Sequence, residues 1–194
     1  ERLAACGLRD VLLCTGSGGD RIEAHVGDGA RWGVRVAYSR EAPDRLLGTG
    51  GALVHALPHL AGSFLVMYGD SYLTVDYRAV VRAFEASGGP ALMTVYRNEG
   101  RWDASNTRVE GGRVTFYSKQ AKPGEAAWID YGLTAFRRDV IEERSGAPMP
   151  LDMARILGDL VAAGRVAAFE TPDRFYEIGS PAGLAELDAA LGGR

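Results

Sequence analysis

Apolar positions recur along this chain at two spacings, and the switches between them predict the order of elements. Arg2 to Cys6 reads as a helix ending at Gly7, a C-cap signal. Val11, Leu12, Leu13 and Cys14 form a short apolar run of strand length. Thr15 to Asp20 is a turn, and Arg21 to Val26 a short helix. Val34 to Tyr38 alternates and is β-branched, which predicts a second strand. Leu46 to Gly51 is a glycine-rich loop, and Ala52 to Leu57 continues from it as a helix. Phe64 to Tyr68 is apolar throughout, the pattern of a central parallel strand covered on both faces. Tyr77, Val80, Val81 and Phe84 follow at helical spacing, and Ala91 to Tyr96 is another strand. The order strand, helix, strand, helix, strand predicts an α/β fold with a mostly parallel sheet and right-handed crossovers.

The second half changes character. Arg108 to Glu110 and Arg113 to Tyr117 flank Gly111-Gly112, a hairpin turn. Trp128 to Phe136 adds a strand. Leu151 to Val161 has an apolar face at Met153, Ile156, Leu157, Leu160 and Val161, and ends before Gly164. Val166 to Glu170 and Phe175 to Ile178 read as short strands, and Ala182 to Leu191 as a closing helix. No repeat, low-complexity tract or linker interrupts the chain, so residues 1–194 are expected to form a single domain.

Composition narrows the function classes. The chain has 194 residues, 46% hydrophobic and 24% charged, ordinary values for a globular protein with a real core. Its formal net charge is -3, with acids and bases interspersed. Nucleic-acid surfaces cluster Lys and Arg, so that partner is not expected, whereas a small phosphorylated ligand is allowed. No apolar run approaches the about 20 residues of a membrane span, and no signal peptide is visible. The expected compartment is the cytoplasm, with no membrane partner. Cys6 and Cys14 lie in apolar segments without a disulfide or zinc spacing, and both are expected as buried thiols.

Four segments carry candidate chemistry. In Leu47-Gly48-Thr49-Gly50-Gly51, glycines let the backbone approach a ligand closely. The helix start behind them offers N–H groups and partial positive charge to a nucleotide. The same residues also suit a tight turn with Thr49 as N-cap. Tyr68-Gly69-Asp70-Ser71 follows the most apolar strand, at the end where open α/β sheets bind ligands. Asp70 there can hold Mg²⁺, a hard cation that bridges phosphates, or it can merely cap a turn. Lys119, after the hairpin, can bind a phosphate as a point charge or be an ordinary solvated lysine. Glu177, between a strand and the last helix, can bring a second carboxylate to the metal or be a strand-end acid. In either case Ser180 suits an N-cap and Pro181 the first helical position. His55 and His59 are four apart on one short helix, but no third ligand is near, so zinc is not expected. No Gly-x-Ser-x-Gly elbow occurs, so acyl transfer has no support.

Together these segments resemble the sugar-phosphate nucleotidyltransferase family, in family order over nearly the whole chain. Leu47 to Ala52 resembles its Leu-Gly-Thr-(Gly/Ala) loop, which implies that Gly48, Thr49 and Gly50 bind the nucleotide. Phe64 to Ser71 resembles its strand ending in Gly-Asp, which implies Asp70 as a Mg²⁺ ligand. Tyr117-Ser118-Lys119 resembles its Glu-Lys or Asp-Lys step, whose lysine meets the sugar phosphate. Ile129-Asp130-Tyr131-Gly132-Leu133 stands where the family has Asn-x-Gly, which implies sugar contacts from Asp130 and Gly132. Tyr176 to Pro181 resembles Asp-Ile-Gly-Thr-Pro, which implies Glu177 as the second metal ligand. The implied fold is a three-layer α/β/α, Rossmann-like nucleotide-diphospho-sugar transferase fold with a mixed sheet. The chain departs from the family in having Glu177 for Asp and Asp130 for Asn. The family's first strand and its Gly-x-Gly-x-Arg phosphate loop are expected upstream of Glu1.

The implied activity is Mg²⁺-dependent nucleotidyl transfer from a nucleoside triphosphate to a sugar 1-phosphate. That is a step of nucleotide-sugar biosynthesis for polysaccharides. Two other readings stand beside it. A metal-dependent glycosyltransferase carries Asp-x-Asp after the central strand, where this chain has Asp70-Ser71-Tyr72. A non-catalytic domain binds nucleotide sugars without turnover. Base, sugar and oligomeric state, a homo-oligomer included, are open at this level.

Overall fold

The computed structural model describes residues 1–192. Their contacts group into two compact units, each assembled from separate stretches of chain. One comprises Glu1–Phe64 and Arg137–Asp159, the other Leu65–Phe136 and the chain from Leu160 onward.

The first unit opens with helix α1 (Arg2–Ala5), strand β1 (Asp10–Thr15), helix α2 (Gly19–Val26), strand β2 (Arg35–Arg40) and helix α3 (Gly48–His55). β1 and β2 pair in parallel, from Asp10↔Arg35 to Thr15↔Arg40, the first crossover read from the sequence. Burial in β1 corrects one expectation. Cys14 is exposed, because β1 belongs to a sheet of two strands and only its last residue, Thr15, is fully covered, and Cys6, at the end of α1, is only half-buried.

Next come β3 (Ser63–Met67), β4 (Ser71–Tyr72), α4 (Tyr77–Ser87), β5 (Ala91–Arg97), β6 (Thr107–Glu110), β7 (Arg113–Tyr117) and β8 (Trp128–Arg137). Asp76 caps α4 by accepting from Arg78 N–H at 2.9 Å, and Tyr77, Val80 and Phe84 form its buried face. The hairpin β6–β7 turns on Gly111 and Gly112, with φ of 56° and 74°. A two-residue type I′ turn needs φ > 0 at both positions. The chain then returns to the first unit with α5 (Arg138–Glu142) and the start of α6 (Met153–Ala162). It ends in the second unit with β9 (Val166–Thr171), β10 (Tyr176–Glu177) and α7 (Pro181–Gly192). Ser180 caps α7, its Oγ accepting from Gly183 N–H at 3.1 Å.

The main sheet has the order β3–β8–β5–β9–β7–β6, and β10 and β4 form a separate antiparallel pair. The sheet is mixed, with a smaller parallel share than the strand and helix order implied. β5 and β9 are parallel, but β8 lies antiparallel beside β5, and β7 is antiparallel to both β6 and β9. β3 ends the sheet order instead of standing at its centre, and its apolar run is therefore half-buried, not covered on both faces. The centre is β5, buried from Ala91 through Val95. It packs among Val80, Leu133, Phe136 and Val166, all at most 1% exposed.

One irregularity positions the site. Met93 pairs with Thr134 and Val95 with Asp130, so Thr94 alone stands opposite Tyr131, Gly132 and Leu133. This bulge in β8 is centred on Gly132, whose φ of 82° favours glycine.

Candidate active site

In the first unit, the glycine segment is the first turn of α3, and its N-cap is Leu47, not Thr49. The N–H groups of Gly50 and Gly51 both donate to the Leu151 carbonyl, at 2.8 and 3.0 Å, and Leu151 N–H returns to Leu47 O at 2.8 Å. Gly48, at φ 78°, would press a Cβ onto Leu151 O at 2.6 Å. The glycines thus permit close backbone docking, with the Leu151 segment as the partner. Thr49 caps a different helix from the one expected. Its Oγ1 accepts from Met153 N–H at 2.9 Å and donates to Asp152 Oδ1 at 3.1 Å, closing the start of α6.

In the second unit, β4 and β10 bring the two proposed metal carboxylates together. Glu177 pairs with Ser71, and Ile178 N–H donates to Asp70 O at 2.8 Å. Gly179 lies so near that a Cβ there would meet Asp70 Oδ2 at 3.1 Å. Partial burial, and then the charges of Asp70 and Asp103, push the Glu177 carboxyl above its ordinary range. Like charges held side by side suit a divalent cation. Among the described residues no group of three or more His, Cys, Asp or Glu is placed to hold a metal. Two carboxylates without a third protein ligand fit Mg²⁺, which keeps waters and substrate phosphates in its shell, better than a closed zinc cage.

The bulge in β8 adds the other predicted residues. Gly132 N–H donates to Asp130 Oδ1 at 3.0 Å, and Tyr117 Oη donates to Asp130 Oδ2 at 3.3 Å. Burial pushes the Asp130 carboxyl up, while these two bonds and the nearby Lys119 ammonium oppose the shift. Lys119 and Asp130 are therefore electrostatic neighbours. A Cβ on Gly132 would meet Ser71 Oγ at 3.3 Å, which ties this pair to the strand that follows Asp70.

Sequence reasoning missed the loop between β5 and β6. Asn98 is fully buried and organises it, with Nδ2 donating to Asp103 O at 2.6 Å and Ser105 Oγ at 3.1 Å. Asp103 faces Glu177 electrostatically. Arg174 lies 3.6 Å above the Trp102 ring and pairs with Glu186 at 2.6 Å. The turn-forming Asn, Gly and Asp of residues 98–106 signalled a loop but not its place. His55 Nε2 is hydrogen-bonded to Arg40 O at 3.1 Å.

Comparison with known proteins gives the family and the fold. The family model described as nucleotidyl transferase matches residues 1–191. Over 79 residues the chain is 39% identical to the N-acetylmuramate alpha-1-phosphate uridylyltransferase of Neisseria meningitidis serogroup B, covering 40% of this chain and 34% of that protein. Over 92 residues it is 34% identical to the glucose-1-phosphate thymidylyltransferase of Streptomyces antibioticus, covering 47% of this chain and 25% of that protein. The chain spans about a quarter to a third of the length of these two relatives. Among solved structures, the inositol-1-phosphate CTP transferase from T. maritima matches with a TM-score of 0.78 at 20% identity, over 98% of this chain and 79% of that one. The shared α/β architecture is the fold class expected from the sequence.

Proposed function

We propose, from the premise that this chain belongs to the nucleotidyl transferase family, that the protein joins a nucleotide to a sugar 1-phosphate and releases pyrophosphate. A phosphate oxygen of the sugar 1-phosphate attacks the α-phosphorus of a nucleoside triphosphate. The bond from that phosphorus to the bridging oxygen breaks, and pyrophosphate leaves with the electron pair. No covalent enzyme intermediate is needed, so the protein's task is positioning and charge neutralisation.

The nearness of Asp70 to Glu177, set by the Glu177–Ser71 pairing of β10 with β4 and the Ile178 N–H to Asp70 O bond, carries this reading. These two carboxylates would hold Mg²⁺, which supplies positive charge against the reacting phosphates. Lys119 binds the phosphate of the attacking sugar, and Asp130 and Gly132 contact the sugar. Gly48, Thr49 and Gly50 form the nucleotide loop. The Gly50 N–H is committed to Leu151, so that residue contributes closeness of approach and not a donor. The two curated relatives are named as a uridylyltransferase of N-acetylmuramate 1-phosphate and a thymidylyltransferase of glucose 1-phosphate, which supports the substrate class. Nucleotide-sugar supply in the cytoplasm, for polysaccharide assembly, is the role we assign. Among the described residues no helix is long and apolar enough to cross a membrane.

The test is pyrophosphate release by the full-length gene product, with Mg²⁺, across the nucleoside triphosphates and a set of hexose 1-phosphates. Release that requires both substrates supports the reading. Nucleotide binding without release points to a non-catalytic binding domain. Consumption of a sugar nucleotide without pyrophosphate points to a glycosyltransferase.

A further inference from the structure

Beside Lys119 the second unit has a cavity of about 220 Å³, with Asp103, Ser105, Asn106, Ser118 and Lys119 in its walls. Whole small-molecule sites run to roughly 300–1,000 Å³. This one accommodates a fragment, such as a phosphate or one edge of a sugar, and not a nucleotide. Its wall is prebuilt. Buried Asn98 holds the backbone of Asp103, and its Oδ1 accepts from Trp102 N–H at 3.1 Å.

Asn106 is fixed from both sides. Its backbone N–H donates to Trp128 O at 2.9 Å, and its carbonyl accepts from Ser118 N–H at 3.0 Å. Its side-chain Oδ1 accepts two hydrogen bonds, from Asp130 N–H at 2.9 Å and Thr107 Oγ1 at 2.8 Å. With the amide oxygen so occupied, the side chain has one rotational choice, and its NH₂ is the group left for the cavity. The same residue anchors the backbone of Asp130 and the step before Lys119, and it shares the cavity wall with Lys119.

We propose that Asn106 is a further binding residue of the acceptor site, its side-chain NH₂ donating a hydrogen bond to the sugar 1-phosphate held by Lys119. This rests on the transferase reading for the identity of the ligand class. The donor itself is assigned from the cavity and from the locked amide.

The experiment follows the Asn106 side-chain NH₂ pair in ¹H–¹⁵N spectra of this chain during titration with α-D-glucose 1-phosphate, α-D-mannose 1-phosphate and inorganic phosphate. The expected result is a saturable shift of that pair with at least one hexose 1-phosphate. Response to inorganic phosphate as well places the bond on the phosphate, and response to the sugar phosphate alone places it on a hydroxyl. Asn106→Asp keeps the accepting oxygen and removes the donor. It should weaken binding by about tenfold or more, the worth of a hydrogen bond to a charged group, with little change in melting temperature. An unmoved NH₂ pair with all three probes overturns the proposal. So does unchanged affinity in Asn106→Asp, or a loss of affinity matched by a loss of folded structure. Pyrophosphate release without any Asn106 response sinks this assignment alone. An Asn106 response without pyrophosphate release sinks the transferase reading alone.

Discussion

Replacing Thr49 by valine separates a structural hydroxyl from a ligand-binding one. Thr49 Oγ1 accepts from Met153 N–H at 2.9 Å and donates to Asp152 Oδ1 at 3.1 Å. Met153 opens α6, so its amide is one of the donors that no intrahelical carbonyl can satisfy. Valine keeps the branched shape of threonine and lacks both hydrogen-bonding functions. Losing a side-chain cap costs about 1 kcal/mol, within a range of roughly 0.5–2. In a protein of this size about 1 kcal/mol lowers the unfolding midpoint by roughly 2–4 °C. A merely exposed hydroxyl would leave stability within about 0.5 kcal/mol. Thr49→Ser retains the oxygen and should melt close to the wild type. Thermal unfolding followed by far-ultraviolet circular dichroism reads the difference. The reasoning is refuted if valine melts with the wild type, or if serine falls as far as valine.

Two further substitutions probe the carboxylate pair. A methyl at Gly183 would collide with the Glu177 carbonyl, so Gly183→Ala must displace either α7 or β10. Such overpacking costs about 1–3 kcal/mol, and Gly183→Ala should both melt lower and lose stabilisation by Mg²⁺-nucleotide. Gly192→Ala, with nothing within 4 Å of the added carbon, is the control and should do neither. For Glu177, partial burial and then the charges of Asp70 and Asp103 raise the carboxyl above its unfolded value. Such a group contributes fully to stability below the unfolded carboxylate pKa, and that contribution is lost as pH rises through the raised folded value. Glu177→Gln should therefore melt at or above the wild type at neutral pH in the absence of metal, with the gap closing on acidification. Melting below the wild type under those conditions would contradict the charge argument.

Much of the fold was legible because periodicity is local. α4, β5, the Gly111-Gly112 hairpin and α6 emerge within a residue or two of where the apolar spacing put them. What failed depends on partners that spacing does not reveal. The Phe64 to Tyr68 run reads as a central strand, but coverage is set by the sheet order, and β3 stands at its end. Thr49 looks like the cap of its own helix, yet it caps one 104 residues downstream. The site divides in the same way. Asp70, Lys119 and Glu177 could be singled out as strand-end or loop residues, and their types suited phosphate and metal chemistry. The nearness of Asp70 to Glu177 rests on two-residue strands too short to carry a period. Asn106 gave no signal, because its importance lies in which of its two amide atoms is occupied.

The central claim is that Asp70 and Glu177 hold the Mg²⁺ on which nucleotidyl transfer depends. It is tested most directly by pyrophosphate release in the full-length gene product carrying Asp70→Asn, an isosteric change that removes one negative charge. With Mg²⁺ and both substrates present, release should fall at least about a hundredfold, the scale on which losing an electrostatic stabiliser slows an enzyme, while the far-ultraviolet spectrum stays unchanged. Near-normal release from the folded variant would contradict the account.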